Sequence, residues 1–199
     1  MDTSTREEAI LYETAQLLLK IPFDDVTMTA VSAKTGMSKR TLYQYFSSRE
    51  DLLVRAVAKL SQSIFIPLSS KDSKLPLSKR LSILMQVNTP PGCEGNKLEC
   101  LRSIVAKAHS YPTLAQNLYS NGYGALLGFV RAEITRAIED NEIKLPLADV
   151  ELAAEMLMGM VFENTLARLL HPFAQPLPDA ERDRRRECAI DIFLRAHAP

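Results

Sequence analysis

The stretch VTMTAVSAKTGMSKRTLYQYFSSR, residues 26–49, decides the fold. Thr27 can cap a short helix running to about Lys34, with Met28 and Val31 turned inward, because a threonine hydroxyl satisfies a free N–H of the first turn. Gly36 supplies the left-handed residue that a tight turn requires. Ser38 caps a further short helix, in which Leu42 and Phe46 fall one turn apart on one face. Two short capped helices joined by a glycine turn match a helix-turn-helix. The same stretch holds Lys34, Lys39, Arg40 and Arg49 and no acid, while Asp24-Asp25 and Glu50-Asp51 flank it. With Leu42 and Phe46 buried, Lys39, Arg40, Thr41, Gln44 and Tyr45 are left facing outward. Arginine and lysine reach guanine edges, glutamine reaches adenine, and hydroxyls and lysine reach phosphates. The competing reading is a solvated face with packed tyrosines; Tyr43 and Tyr45 on so short a helix weigh against it.

Outward from this stretch the pattern stays helical. Arg6 to Lys20 carries Ile10, Leu11, Thr14, Leu17 and Leu18 at spacings of three and four. That helix ends at Ile21-Pro22, since the residue before proline is pushed out of the helical region. Ser47 and Glu50 have capping-box spacing, which predicts a helix onward through Leu53, Val57, Leu60 and Ile64. After a polar connector from Pro67 to Leu75, helices are expected at about Leu77–Val87, Asn96–Ser110, Thr113–Asp140, Asp149–Leu170 and Asp179–His197. Asn88–Asn96, with Pro90-Pro91-Gly92, is expected to be a loop. No segment alternates with period two over strand length. The expected fold is all-α.

Composition agrees. The chain has 199 residues, 24 Lys+Arg against 24 Asp+Glu, 46% hydrophobic residues, seven Gly, eleven Pro and no Trp. This is ordinary globular composition with prolines punctuating helices. Zero net charge excludes a generally basic coat and leaves room for a local basic patch. The apolar stretches, such as Met156 to Phe162, are too short for a span of ~20 residues, so no membrane association is expected. The N-terminus lacks a basic-then-apolar pattern, and a cytoplasmic location is expected. Cys93, Cys100 and Cys188 are an odd set, which predicts free thiols. Cys93 and Cys100 would form a redox pair only if the segment between them bends back.

Ile10-Leu11, Thr27, Val31, Gly36-Met37-Ser38-Lys39, Thr41-Leu42-Tyr43, Tyr45-Phe46 and Ser48-Arg49-Glu50-Asp51-Leu52-Leu53 together resemble the DNA-binding domain of the tetracycline-repressor (TetR/AcrR) family. The match runs from about Arg6 to Val57 without a gap. Pro22 and Arg40 stand where the family usually or frequently has glycine, and Arg49 where lysine is usual. The resemblance implies a helix-turn-helix domain over 1–50 and a helical ligand-binding and dimerisation domain over 51–199, joined by the fourth helix. It makes Lys39, Arg40, Thr41 and Gln44 candidates for reading the major groove. It makes Thr27, Tyr43, Tyr45 and Arg49 candidates for clamping phosphates. Leu101-Arg102, His109 to Ala115 and Asp149 to Gly159 are similar to the AefR-like subgroup, with Lys107 where an acid is common.

In Asp149–Leu170, Leu152, Met156, Gly159 and Leu166 share one side and Ala153, Leu157, Met160 and Val161 another. So wide an apolar surface calls for cover on both sides. With Ile192 and Phe193 of the last helix, the first set is the candidate dimer interface, through a four-helix bundle with a second copy. The run Arg182–Arg186 is interleaved with Glu181, Asp183 and Glu187 and reads as a solvated face. Ile104, Tyr119, Tyr123, Phe129, Met160 and Phe162 are candidates to line an apolar pocket, and plain core is the simpler account of each. Gly122, Gly124 and Gly128 lack dinucleotide-binding spacing, the three histidines lack metal-ligand spacing, and no nucleophile has a base placed by motif. Neither cofactor nor metal nor enzymatic activity is expected. The expectation is a homodimeric repressor that binds a palindromic DNA operator and is released by a small apolar or amphipathic effector. The alternative is an all-α dimeric ligand-binding or adaptor protein without DNA binding.

Overall fold

The computed structural model describes residues 3–88, 97–171, 173, 175 and 177–199. These form eleven α-helices and three short 3-10 turns, with no strand among the described residues. In chain order they are α1 (Thr3–Leu18), a turn at Phe23–Asp25, α2 (Met28–Thr35), α3 (Lys39–Tyr45), α4 (Arg49–Gln62), a turn at Asp72–Lys74, α5 (Leu77–Leu84), α6 (Lys97–Ala106), α7 (Pro112–Asn121), α8 (Tyr123–Glu139), a turn at Leu147–Asp149, α9 (Val150–Val161), α10 (Thr165–Leu170) and α11 (Asp179–Ala196). No helix is long and apolar enough to cross a membrane among the described residues. The loop expected at Asn88–Asn96 lies, after Asn88, outside the described residues, and with it Cys93 and the Cys93–Cys100 pairing.

Three expectations from the sequence are corrected. The helix expected over Thr113–Asp140 is two, α7 and α8, broken at Gly122. The Gly122 N–H closes α7 on the Leu118 carbonyl at 3.1 Å, and a β-carbon there would stand 2.8 Å from the same oxygen. The helix expected over Asp149–Leu170 is also two: α9 stops where Phe162 turns extended, and the Asn164 side chain starts α10 by accepting from the Ala167 N–H at 3.0 Å. The cap of α4 sits one residue later than the capping-box spacing suggested. Ser48 Oγ accepts from the Asp51 N–H at 3.1 Å, and the Asp51 carboxylate accepts from the backbone N–H and the hydroxyl of Ser47.

The chain forms two compact units, Met1–Ile64 with Asn88–Tyr123 and Phe65–Val87 with Gly124–Pro199. The packing therefore does not divide at residue 50, because α4, α6 and α7 share a core with α1–α3. In the first unit α4 lies against α1 and α7, around Ile10, Val31, Leu42, Phe46, Leu53 and Ala56. Cys100, Ile104 and Leu114 join the same core.

The second unit buries Leu81, Leu126, Ile134, Ala154 and Leu157 between α5, α8, α9 and α11. Phe193, expected at a dimer interface, is only 4% exposed and belongs to this core, with its ring 4.8 Å from that of His197. The buried Arg80 of α5 meets the buried Glu133 of α8 here, Nε to Oε1 at 2.6 Å.

The two described cysteines differ in environment. Cys100 is buried, and desolvation pushes its thiol up to about 11, whereas Cys188 is exposed. At pH 8 only about one Cys100 in a thousand is then thiolate, the reactive form. Iodoacetamide at pH 8 should label Cys188 in the native protein and Cys100 only after unfolding; peptide mapping that finds Cys100 alkylated as fast as Cys188 would contradict this burial.

Candidate nucleic-acid interface

The helix-turn-helix is built by its own hydroxyl groups. Thr27 Oγ1 accepts from the Ala30 N–H at 3.2 Å and starts α2. Gly36 ends it at φ +68°, a conformation that costs a side-chain-bearing residue free energy and glycine little. Ser32 Oγ donates to the Met37 carbonyl at 2.6 Å, fixing the turn from the α2 side. Ser38 Oγ accepts from the Thr41 N–H at 3.1 Å and starts α3. Leu42 and Phe46 are fully buried and set the rotation of α3. Arg55 of α4 holds the end of α3, lying 4.8 Å from the Phe46 ring centre and donating to the Tyr45 carbonyl at 3.2 Å. It also pairs with Glu7 of α1.

At 3.6 residues per turn, Arg40 and Gln44 fall opposite Leu42, one above the other. Both are exposed, as are Lys39, Tyr43 and Thr27. Tyr43 is 55% exposed, unusual for a large ring with no cover. Thr41 is half-buried and its hydroxyl lies 2.9 Å from Ser38 Oγ, so it serves the cap. Tyr45 is half-buried with its ring 6.5 Å from Phe46.

Of the four cations counted in 26–49, two are engaged inside the unit. Lys34 pairs with Glu13 at 3.5 Å. Arg49 turns inward: Nη2 donates to the Phe23 carbonyl at 2.6 Å, Nε donates to the Val26 carbonyl at 2.8 Å, and the guanidinium lies 5.3 Å from the Phe23 ring centre. In this structure Arg49 is an internal tie between α4 and the turn that leads into α2. The same turn takes Lys107, whose Nζ is 2.8 Å from Asp24 Oδ1, and packs Tyr111 edge-on against Phe23 at 6.0 Å. Nothing in the helical periodicity flagged Phe23, Lys107 or Tyr111. The signals present were Lys107 standing where an acid is common and Tyr111 lying within the His109 to Ala115 resemblance.

Family models match both parts of the chain. Residues 10–56 match the bacterial regulatory proteins of the tetR family, and residues 93–199 match the C-terminal domain of AefR-like transcriptional repressors. The chain belongs to the TetR family.

No curated protein matches the chain. Solved structures of TetR-family regulators share its fold over nearly the whole length. One from Mesorhizobium loti is 19% identical, with TM-score 0.74 and full coverage of both chains. One from Agrobacterium tumefaciens is 20% identical, with TM-score 0.73 over 98% of this chain and 95% of that one. The flavonoid-responsive regulator FrrA is 21% identical, with TM-score 0.69 over 99% of each.

The remaining candidates of this TetR-family chain lie apart. Leu152, Met156 and Gly159 form an exposed stripe on α9, Ile192 is exposed on α11, and Leu166 is exposed on α10. The six pocket candidates do not fall in one unit. Ile104 is core of the first, where Tyr119 and Tyr123 stack at 6.1 Å and are exposed. Phe129, Met160 and Phe162 are half-buried in the second, with Phe162 edge-on to Phe65 at 5.7 Å. Met160 also lines a shallow surface cavity of about 480 Å³ with Leu177, Arg184, Cys188 and Ile192. Among the described residues, no group of three His, Cys, Asp or Glu is placed to hold a metal.

Proposed function

We propose that this TetR-family regulator is a homodimeric repressor that binds a palindromic operator through α3 and is released by a small apolar or amphipathic molecule. The observation that carries the reading is the outward set Lys39, Arg40, Tyr43 and Gln44 on a helix whose opposite side, Leu42 and Phe46, is fully buried. Arg40 and Gln44 read base edges, and Lys39, Tyr43 and the exposed Thr27 at the N-terminus of α2 hold phosphates. The exposed stripe Leu152, Met156 and Gly159, with Ile192 and Leu166, supports self-association; a two-fold dimer would present two copies of α3 to two half-sites. The name of FrrA makes flavonoids and related aromatic compounds the first effectors to try.

The test is selection of bound duplexes from a random pool, followed by titration. A two-fold symmetric site is expected, with log affinity falling linearly against log salt by about 0.9 for each phosphate neutralised. Gln44→Ala should relax the preference at one base pair per half-site, costing about 1–3 kcal/mol of discrimination. Equal affinity for every duplex would sink the repressor reading, and no binding to any duplex would favour the ligand-binding or adaptor alternative. An effector that lowers operator affinity must itself bind more weakly in the presence of operator, by the same factor.

A further inference from the structure

Phe23 belongs to a three-residue turn outside α1 and α2, yet it is only 4% exposed. Two cations approach its ring, Arg49 at 5.3 Å and Lys107 at 5.7 Å from the centre, while Tyr111 meets it edge-on at 6.0 Å. Arg49 opens α4 and fixes the backbone of the turn at Phe23 and Val26. Lys107 directly follows α6, Tyr111 directly precedes α7, and the Tyr111 N–H donates to the Lys107 carbonyl at 2.8 Å. The turn is thus held by the start of α4 and by the α6–α7 junction, all within the first unit.

What the turn controls follows from the chain. The Thr27 N–H donates to the Asp25 carbonyl at 2.8 Å, Thr27 caps α2, and Ser32 ties α2 to the residue before the cap of α3. A displacement at Phe23–Asp25 reaches α3 through Val26 and Thr27, through α2, and through the side-chain hydrogen bonds of Thr27 and Ser32.

The geometry points to Lys107 and Tyr111 as positioning residues for the DNA-binding surface, acting through the Phe23–Asp25 turn alongside α4. This rests on the reading of α3 as the DNA-binding helix. Lys107 is placed for this role and not for a phosphate: its ammonium is already spent on Asp24 and on the ring face, neutralising an acid next to a surface that must meet an anion. An exposed ion pair alone is weak, but a cation on a ring face and an edge-on tyrosine add geometry that the pair lacks. Anything that shifts the α6–α7 junction then shifts α2 and α3.

The full chain tests this with Lys107→Met, which keeps the aliphatic stem, Lys107→Arg, which keeps the cation, and Tyr111→Leu. Lys107→Met and Tyr111→Leu should weaken operator binding about threefold to tenfold. The slope of log affinity against log salt should stay as in the parent, because no phosphate contact is lost. Lys107→Arg should restore affinity. In the free protein, hydrogen exchange over residues 23–35 should quicken in Lys107→Met. A salt slope smaller by about one would make Lys107 a phosphate contact and overturn the proposal. Unchanged affinity together with unchanged exchange would overturn it too. If the parent bound no duplex, the repressor reading would fail, while the exchange measurement would still decide whether Lys107 holds the turn.

Discussion

Arg80→Met should lower the stability of the second unit by about 3–5 kcal/mol, the cost of breaking a buried ion pair by removing one partner. Arg80 and Glu133 are 5% and 8% exposed in their side chains, and Arg80 Nε meets Glu133 Oε1 at 2.6 Å. The contact is ionic more than a well-aligned hydrogen bond, since neither atom has a hydrogen-bond partner of good geometry. Arg80 further reaches Glu142 Oε1 at 2.5 Å and the Leu75 carbonyl at 3.1 Å, so one guanidinium joins α5, α8 and the chain after α8. Without it, among the described residues, the buried Glu133 is left with Arg136 at 3.9 Å beside an apolar core. The double variant Arg80→Met, Glu133→Leu should regain most of the loss, because the desolvation cost leaves with both charges. Chemical denaturation measures both. A single variant within about 1 kcal/mol of the parent would show that water reaches the pair.

Arg49→Ala should cost about 2–4 kcal/mol in the first unit, because two charge-assisted hydrogen bonds to backbone carbonyls and a cation–π contact are lost together. Arg49→Lys separates the internal tie from a phosphate clamp. A lysine ammonium keeps the charge but lacks the planar fork that spans the Phe23 and Val26 carbonyls. The tie predicts that Arg49→Lys is destabilised and binds operator less well in proportion, with the salt slope of the parent. A phosphate clamp predicts a stable Arg49→Lys of nearly parental affinity. Denaturation alongside DNA titration over a salt series distinguishes them, and a fully stable Arg49→Ala would end the argument for the tie.

The helix-turn-helix shows where the sequence was legible. Thr27, Gly36 and Ser38 announced both helices and their turn, and each does in the structure what its chemistry suggested. Leu42 and Phe46, one turn apart, were enough to set which side of α3 is core and leave Arg40 and Gln44 outward. The exposed stripe of Leu152, Met156 and Gly159 followed in the same way from spacing along one helix. Caps and helical periodicity act over three or four residues, so they are written in the chain and can be read there.

Contacts across long separations are not written that way. A cation on a helix looks the same in sequence whether it faces water or a carbonyl. Arg49 finds its acceptors 23 and 26 residues away, and Lys107 its partner 83 residues away at Asp24. Phe193 shares an apolar run with the exposed Ile192, and only the packing of α11 against α9 and α5 decides which of them turns inward. Gly122 lies within a stretch read as one helix, yet it breaks the helix where a β-carbon would strike the Leu118 carbonyl. The sequence by itself determined the all-α class, the helix-turn-helix and the outward placement of Lys39, Arg40 and Gln44, while Thr41 and Tyr45, also read as outward, are half-buried. The tertiary structure decided which charges are spent inside the protein, because burial and pairing depend on neighbours that the folded chain brings together from far apart in sequence.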